Sequence, residues 1–136
     1  MSIRVLLADD AEIVRKAIRK LLKRDPEISI VGEAVNVAET LKLTSDRKPQ
    51  VILMDLHMSD GKNVTLLRFK SRFDSSGSLV LAMSIWNDNR TKALAHSLGA
   101  VTLLDKTKLR TDLIPAIKQC ANGFLAQQIA SWEMSL

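Results

Sequence analysis

Short apolar runs alternate with amphipathic segments along most of this chain. The apolar runs have the length and continuity of strands that are buried on both faces. They cover Ile3–Ala8, Ile28–Glu33, Val51–Met54, Leu79–Met83 and Val101–Leu104. Between the runs, apolar residues recur every three or four positions, which is the spacing of helices with one buried side. The pattern therefore predicts strands and helices that alternate along the chain.

Residues that favour helix ends mark where the predicted helices begin and end. The helices cover Glu12–Arg24, Asn36 to about Asp46, Lys62–Phe73, Asn87–Leu98 and the segment after Thr111. Asn36 and Glu39, three residues apart, form the sequence of a capping box. Gly99 ends the fourth helix. Thr111 caps the last helix, so that Pro115 falls within its first turn or just after it.

Five strand–helix pairs predict an α/β fold, a doubly wound five-stranded parallel sheet with helices on both faces. The length of 136 residues is that of one domain. We assign the domain to residues 1–122 and treat residues 123–136 as a C-terminal extension. That extension is amphipathic, and it is expected to lengthen the last helix, pack back on the domain or begin a linker.

Composition excludes several classes of protein. The chain has 46% apolar and 26% charged residues, which are values of a globular chain and not of a disordered one. Its one cysteine, Cys120, excludes an intrachain disulfide and a paired-cysteine metal site. No apolar stretch reaches the roughly 18 residues that span a membrane, and the N-terminus lacks a secretory signal. We therefore expect a cytoplasmic protein without membrane contact.

The formal net charge is +5, and basic residues gather on the first predicted helix. They are Arg15, Lys16, Arg19, Lys20, Lys23 and Arg24. Apolar residues alternate with them, so a solvated side of an amphipathic helix is the simpler interpretation. Contact with DNA or another anionic partner is the alternative. The chain has only two Trp, three Phe and no Tyr with which to stack on bases.

Polar residues follow four of the predicted strands at the point where each strand ends. Asp9 and Asp10 follow the first strand, Asp55 the third, Ser84 the fourth and Lys106 the fifth. In an open parallel sheet, ligands bind beyond the carboxyl ends of the strands. The spacing therefore predicts that three carboxylates, a hydroxyl and an ammonium group converge at one edge of the sheet.

Such a cluster suggests phosphoryl chemistry with a divalent cation. Three neighbouring carboxylates repel one another, and a hard cation with oxygen ligands, Mg²⁺ or Mn²⁺, relieves that repulsion. The cation also neutralises a phosphoryl group, which Asp55 could accept as a nucleophile. Lys106 would add a positive charge, and Ser84 a hydrogen-bond donor. Taken singly, these residues are equally typical of helix caps, turns and surfaces, and only their joint placement favours a site.

The same residues carry a resemblance to a known family. The chain resembles the receiver domain of two-component response regulators over about residues 2–122. The matching motifs are Asp9-Asp10, VILMDLHM over residues 51–58, Met83-Ser84 and LGAVTLLDK over residues 98–106. The run IVGEA over residues 30–34 and the LHM after Asp55 are similar to receivers that precede a helix-turn-helix output domain.

The resemblance implies a flavodoxin-like fold with strand order 2-1-3-4-5. It implies that Asp55 accepts a phosphoryl group from the phosphohistidine of a sensor kinase or phosphotransfer protein. Asp10, Asp55 and the backbone carbonyl of His57 would bind Mg²⁺, with Asp9 acting mostly through water. Ser84 and Lys106 would then contact the phosphoryl group. The His57 ring is not expected to take part.

Three positions depart from the family pattern. Leu103 replaces the aromatic residue whose burial accompanies switching, and Trp86 could act as the moving bulk or simply pack. Thr107 replaces the proline that often follows Lys106 in a cis peptide, a bond that is costly without proline. The loop over residues 56–61 lacks its usual proline at position 59 and is about two residues short.

The leading hypothesis is a two-state switch that is a stoichiometric phosphoryl acceptor, with self-dephosphorylation as its only turnover. The loop after the fourth strand and the helix Asn87–Leu98 would move, and the face of helix four, strand five and helix five would meet a partner or a second copy. Output would be transcription regulation, with DNA contact through an output domain outside this chain. The alternatives are an interaction module that works without phosphorylation and an enzyme of flavodoxin or phosphatase type.

Overall fold

The computed structural model describes residues 2–61, 70–73 and 76–134, with side chains described as far as residue 123. The strands are β1 (Ile3–Ala8), β2 (Ile28–Ala34), β3 (Val51–Asp55), β4 (Leu79–Ser84) and β5 (Thr102–Asp105). The helices are α1 (Glu12–Leu22), α2 (Val37–Arg47), α3 (Asn89–Ser97) and α4 (Leu109–Met134). A short 3-10 helix, Lys106–Lys108, joins β5 to α4.

The strands form one five-stranded parallel sheet in the order β2-β1-β3-β4-β5. This confirms the predicted α/β class and the flavodoxin-like strand order. The register pairs Ala8 of β1 with Met54 of β3, and Asp55 with Met83 of β4. The residues that follow β1 and β3 therefore meet at one edge of the sheet, together with those that follow β4 and β5.

Two apolar cores cover the two faces of the sheet, because alternate residues of a strand point to opposite faces. Leu6 and Ile52 belong to the core that includes residues of α2 and α3. Leu7 and Leu53 belong to the core that includes residues of α1 and α4. Every residue of β3 is buried, which explains why this strand is an unbroken apolar run until it reaches its terminal aspartate.

Most element boundaries agree with the sequence pattern, and the prediction for the last helix is wrong. Thr111 does not cap α4, because that helix begins two residues earlier, at Leu109. The Asp105 side chain instead accepts hydrogen bonds from the backbone N–H and the hydroxyl of Thr107. This starts the 3-10 turn that leads directly into α4. Pro115 consequently lies inside the helix, about one turn further along than predicted.

The ends of α2 and α3, on the other side of the sheet, have the capping residues that the sequence predicts. The Asn36 side chain accepts the N–H of Glu39 at 2.8 Å and caps α2. Gly99 takes a positive φ of 82° after α3, a conformation that favours glycine at a helix end. The predicted helix Lys62–Phe73 lies outside the described residues, apart from residues 70–73, which are helical. The backbone of α4 is helical through Met134.

Candidate functional site

Three carboxylates meet beyond the ends of β1 and β3. Asp9 is fully buried, Asp55 is almost fully buried and Asp10 is exposed. One oxygen from each lies within 4.8 Å of the other two. The β1–β3 register places the strand ends side by side, so the cluster follows directly from two parallel strands that each end in an acidic residue.

Lys106 comes from the end of β5 and reaches across to this cluster. Its Nζ lies 2.7 Å from Oδ2 of Asp9 and 3.3 Å from Oδ2 of Asp55. Only 14% of the lysine side chain is exposed. Lys106 therefore bridges two buried acids, and the sequence-predicted residues Asp9, Asp10, Asp55 and Lys106 form one site.

Among the residues that the structure describes, the site has an excess of negative charge, because three carboxylates meet there and the Lys106 ammonium pairs with two of them. Burial raises the pKa of Asp55 above its ordinary value and the charge of Asp9 adds to that rise, while the His57 N–H and Lys106 oppose it. Burial by itself would lower the pKa of Lys106, but the hydrogen bond to Asp9 and the charges of both acids raise it on balance. Lys106 therefore stays charged.

Backbone groups hold two of the carboxylates in place. Oδ1 of Asp9 accepts the N–H of Ala11 at 2.9 Å, and Oδ1 of Asp55 accepts the N–H of His57 at 3.0 Å. The N-cap residue of α1 is Ala11, which makes no side-chain cap. Helix capping alone thus does not explain the acidic pair, and the remaining oxygens of Asp9 and Asp55 face Lys106.

Ser84 occupies the predicted strand end, but its hydroxyl is engaged by a different part of the site. Ser84 is fully buried, and its Oγ lies 3.0 Å from Nε2 of His57 and accepts the backbone N–H of Trp86 at 2.9 Å. The rings of His57 and Trp86 meet edge to face, with centroids 4.6 Å apart. Leu103, at the altered position of the family pattern, is partly buried and packs against the core on the α2 and α3 side.

The three carboxylates fit a hard divalent cation. Their oxygens lie within 4.8 Å of one another, and carboxylate oxygens are the ligands that Mg²⁺ prefers. Asp10 is the exposed member and gives an ion access, while Asp9 and Asp55 are anchored by the backbone. A cation would also offset the charge that Lys106 leaves uncompensated.

Two features of the site were missed by the sequence analysis. Neither the ring contact between His57 and Ser84 nor the role of Asp60 was predicted. The Asp60 carboxylate accepts the backbone N–H groups of Val37 and Ala38, at 2.8–3.2 Å, and so ties the loop after β3 to the first turn of α2. A carboxylate is favoured at a helix N-terminus, but only an aspartate next to a turn glycine could have signalled it in the sequence.

Comparison with known proteins agrees with this geometry. The profile of the response regulator receiver domain matches residues 5–118. The transcriptional regulatory protein LiaR of Bacillus subtilis is 31% identical over 121 residues, which are 89% of this chain and 57% of LiaR. The transcriptional activator DevR/DosR of Mycobacterium tuberculosis is 39% identical over 122 residues, 89% of this chain and 55% of that protein. The chain thus spans about half the length of these relatives.

A solved structure shows the same fold. The signal receiver domain of the putative response regulator NarL from Mycobacterium tuberculosis superposes with a TM-score of 0.81 at 27% identity, covering 90% of this chain and 98% of that domain. The similarity to LiaR and DevR/DosR confirms the predicted likeness to receivers that precede a helix-turn-helix output. The chain belongs to the family of response regulator receiver domains.

Proposed function

We propose that this receiver domain accepts a phosphoryl group on Asp55 and acts as a two-state switch. The observation that carries the proposal is the bridging of Asp9 and Asp55 by the Lys106 ammonium, at 2.7 and 3.3 Å. A buried carboxylate beside a fixed cation and two further acids is arranged to receive a phosphoryl group with a metal ion.

The transfer is a displacement at phosphorus. An oxygen of the Asp55 carboxylate forms a new P–O bond, while the P–N bond to the partner's phosphohistidine breaks. The electron pair leaves on the imidazole nitrogen, which then takes a proton from solvent. Only the ionised carboxylate is nucleophilic, and the His57 N–H and Lys106 favour that form because they oppose the rise that burial causes in the pKa of Asp55.

Asp10, Asp55 and the backbone carbonyl of His57 would hold Mg²⁺ or Mn²⁺, with Asp9 contributing through water. Bound there, the ion would neutralise charge on the phosphoryl oxygens. Lys106 remains the fixed cation of the site, and Ser84 supplies a hydroxyl that can donate to the transferred group. Because the ion compensates the acids, its binding is coupled to folding stability.

Adding Mg²⁺ is expected to raise the free energy of unfolding. At a concentration ten times the dissociation constant, linkage predicts a gain of about 1.4 kcal/mol. Urea denaturation in Mg²⁺ and in EDTA measures the gain. It should disappear in Asp10→Asn and persist in the control Asp46→Asn, whose exposed side chain lies on α2. An equal gain in both variants would show that the ion binds elsewhere.

Phosphoryl uptake tests the proposal itself. Incubation with acetyl phosphate and Mg²⁺ is expected to add the mass of one phosphoryl group to the intact protein. Asp55→Asn should show at least a hundredfold less uptake, because an amide is a poor nucleophile, and EDTA should suppress uptake by the unaltered protein. Unaltered protein that gains no mass, or equal uptake by Asp55→Asn, would refute the proposal.

The partners follow from the family and the surface. The donor is a sensor histidine kinase or a phosphotransfer protein, and the face of α3, β5 and α4 binds a partner or a second copy when Asp55 is phosphorylated. Transcription regulation is the proposed output, as in LiaR and DevR/DosR, with DNA bound by a separate output domain. A methylesterase of Shewanella denitrificans is also 37% identical over 130 residues, 32% of its length. The receiver chemistry at Asp55 therefore does not by itself determine the output.

An interaction module that works without phosphorylation is the second candidate, and Leu103 favours it. This partly buried leucine packs in the core on the α2 and α3 side, so the usual movement of an aromatic ring cannot report the state of Asp55.

The location in the cytoplasm and the division into residues 1–122 and 123–136 stay predictions. Of the helices the structure describes, none is long and apolar enough to cross a membrane.

A further inference from the structure

The hydroxyl of Ser84 is held by two groups that belong to the surface side of the site. The backbone N–H of Trp86 donates to its Oγ at 2.9 Å. Nε2 of the His57 ring lies 3.0 Å from the same oxygen. A serine hydroxyl has one hydrogen and two lone pairs, so these contacts take up most of its capacity and fix its position.

This arrangement conflicts with what Ser84 does in the proposed function. To donate to a phosphoryl group on Asp55, the hydroxyl has to turn its hydrogen toward that group. If the hydroxyl donates to His57, the hydrogen bond has to break. If the His57 ring donates instead, the two N–H groups take both lone pairs of Oγ and fix its position and the direction of its hydrogen, so a movement of Oγ toward Asp55 breaks one of these bonds.

We propose that the His57 ring is a latch that holds Ser84 in the unphosphorylated position and releases it when Asp55 is phosphorylated. The inference rests on the proposed function, and it assigns His57 as a positioning residue. The latch is connected to the acceptor, because the backbone N–H of His57 donates to Oδ1 of Asp55 at 3.0 Å. One residue therefore contacts the acceptor through its backbone and the switch hydroxyl through its ring.

A purely structural role explains the contact less well. His57 is exposed, and 52% of Trp86 is exposed, so the edge-to-face contact buries little apolar surface. Its geometric effect is to orient the imidazole, since the Trp86 ring lies at 87° to it. The fully buried residue of the group is Ser84, whose hydroxyl position matters for phosphorylation.

Removing the hydrogen bond between His57 and Ser84, while keeping an aromatic ring at position 57, should lower the free-energy cost of moving the Ser84 hydroxyl toward the phosphoryl group. His57→Phe is expected to bind beryllium fluoride with Mg²⁺, a mimic of the phosphoryl group, roughly 2- to 10-fold more tightly than the unaltered protein, the range for one hydrogen bond. His57→Gln, whose Nε2 is as far along the side chain as the imidazole Nε2, should restore the original affinity. His96→Phe, at an exposed histidine of α3, is the matched control and should change nothing.

A double-mutant cycle shows whether the effect passes through Ser84. In a Ser84→Ala background, His57→Phe should leave the affinity for beryllium fluoride unchanged. Binding is measured by Trp86 fluorescence, with all variants made in a Trp132→Phe background that leaves one tryptophan. Without a substitution at His57 or Ser84, this fluorescence should change on binding, because the latch beside Trp86 opens.

The outcomes separate the two claims. Equal affinity of His57→Phe and the unaltered protein would overturn the latch, as would a tightening that persists in Ser84→Ala, while phosphoryl uptake by Asp55 would stand. A protein that takes up no phosphoryl group and binds no beryllium fluoride would overturn the proposed function and the latch with it.

Discussion

Replacing Lys106 with methionine is expected to lower the free energy of unfolding by about 3–5 kcal/mol at neutral pH without divalent cations, the range for breaking a buried ion pair. Methionine keeps most of the apolar stem and removes the ammonium. Asp9 and Asp55 would then be buried carboxylates without the cation that lies 2.7 and 3.3 Å away. Urea denaturation in EDTA measures the loss.

The loss should depend on pH in a defined direction. Burial raises the folded-state pKa of Asp55 above its unfolded value, so protonation of Asp55 favours the folded state. The negative charge that Asp55 presents to Lys106 is fully present above the folded-state pKa of Asp55 and disappears as the pH falls through it. The difference between Lys106→Met and the unaltered protein is therefore expected to shrink on acidification.

The control is Lys108→Met, two residues further along the chain at an exposed position. It should change the free energy of unfolding by less than about 0.5 kcal/mol, as most surface substitutions do. A Lys106→Met protein as stable as the Lys108→Met protein, at every pH, would show that the bridge between the buried acids does not exist.

Replacing Leu53 with alanine is expected to lower the free energy of unfolding by about 2–5 kcal/mol. Leu53 is fully buried in the centre of β3, in the core shared with α1 and α4. Truncation removes apolar contacts and leaves a cavity directly beneath the strand end that carries Asp55. Thermal or urea denaturation checks the value, and Mg²⁺ binding should weaken because the strand that presents Asp55 is less well packed.

Val101→Ala is the matched control for this substitution. Val101 precedes β5 and is 54% exposed, so it buries little apolar area. Its loss should stay below about 0.5 kcal/mol. Equal losses at positions 53 and 101 would contradict the assignment of β3 to the centre of the sheet.

The fold could be predicted because its central strands are buried on both faces. Such strands are continuous apolar runs, and a run that ends in Asp55 marks both the strand and its end. The ends of the amphipathic elements were harder to predict. The start of α4 depends on the hydrogen bonds that Asp105 accepts from Thr107. In the sequence, Thr111 is an equally good capping residue, so the pattern could not show which of the two residues marks the start.

The acidic part of the site could be predicted for the same reason, since parallel strands align their carboxyl ends. The orientation of individual side chains at that edge of the sheet could not be predicted. Whether the Ser84 hydroxyl faces Asp55 or His57 depends on one rotamer and on the path of the loop after β3. Asp60, which ties that loop to α2, shows how the loop is held without the proline that the family usually places at position 59.

The central claim is that Asp55 itself carries the phosphoryl group. Borohydride reduces an aspartyl phosphate to homoserine, so treatment after acetyl phosphate and Mg²⁺, followed by peptide mapping, identifies the modified residue. We predict homoserine at position 55 and unchanged Asp9 and Asp10. Homoserine at position 9 or 10, or a phosphoryl group that resists borohydride and maps to a serine, threonine or histidine, would contradict it.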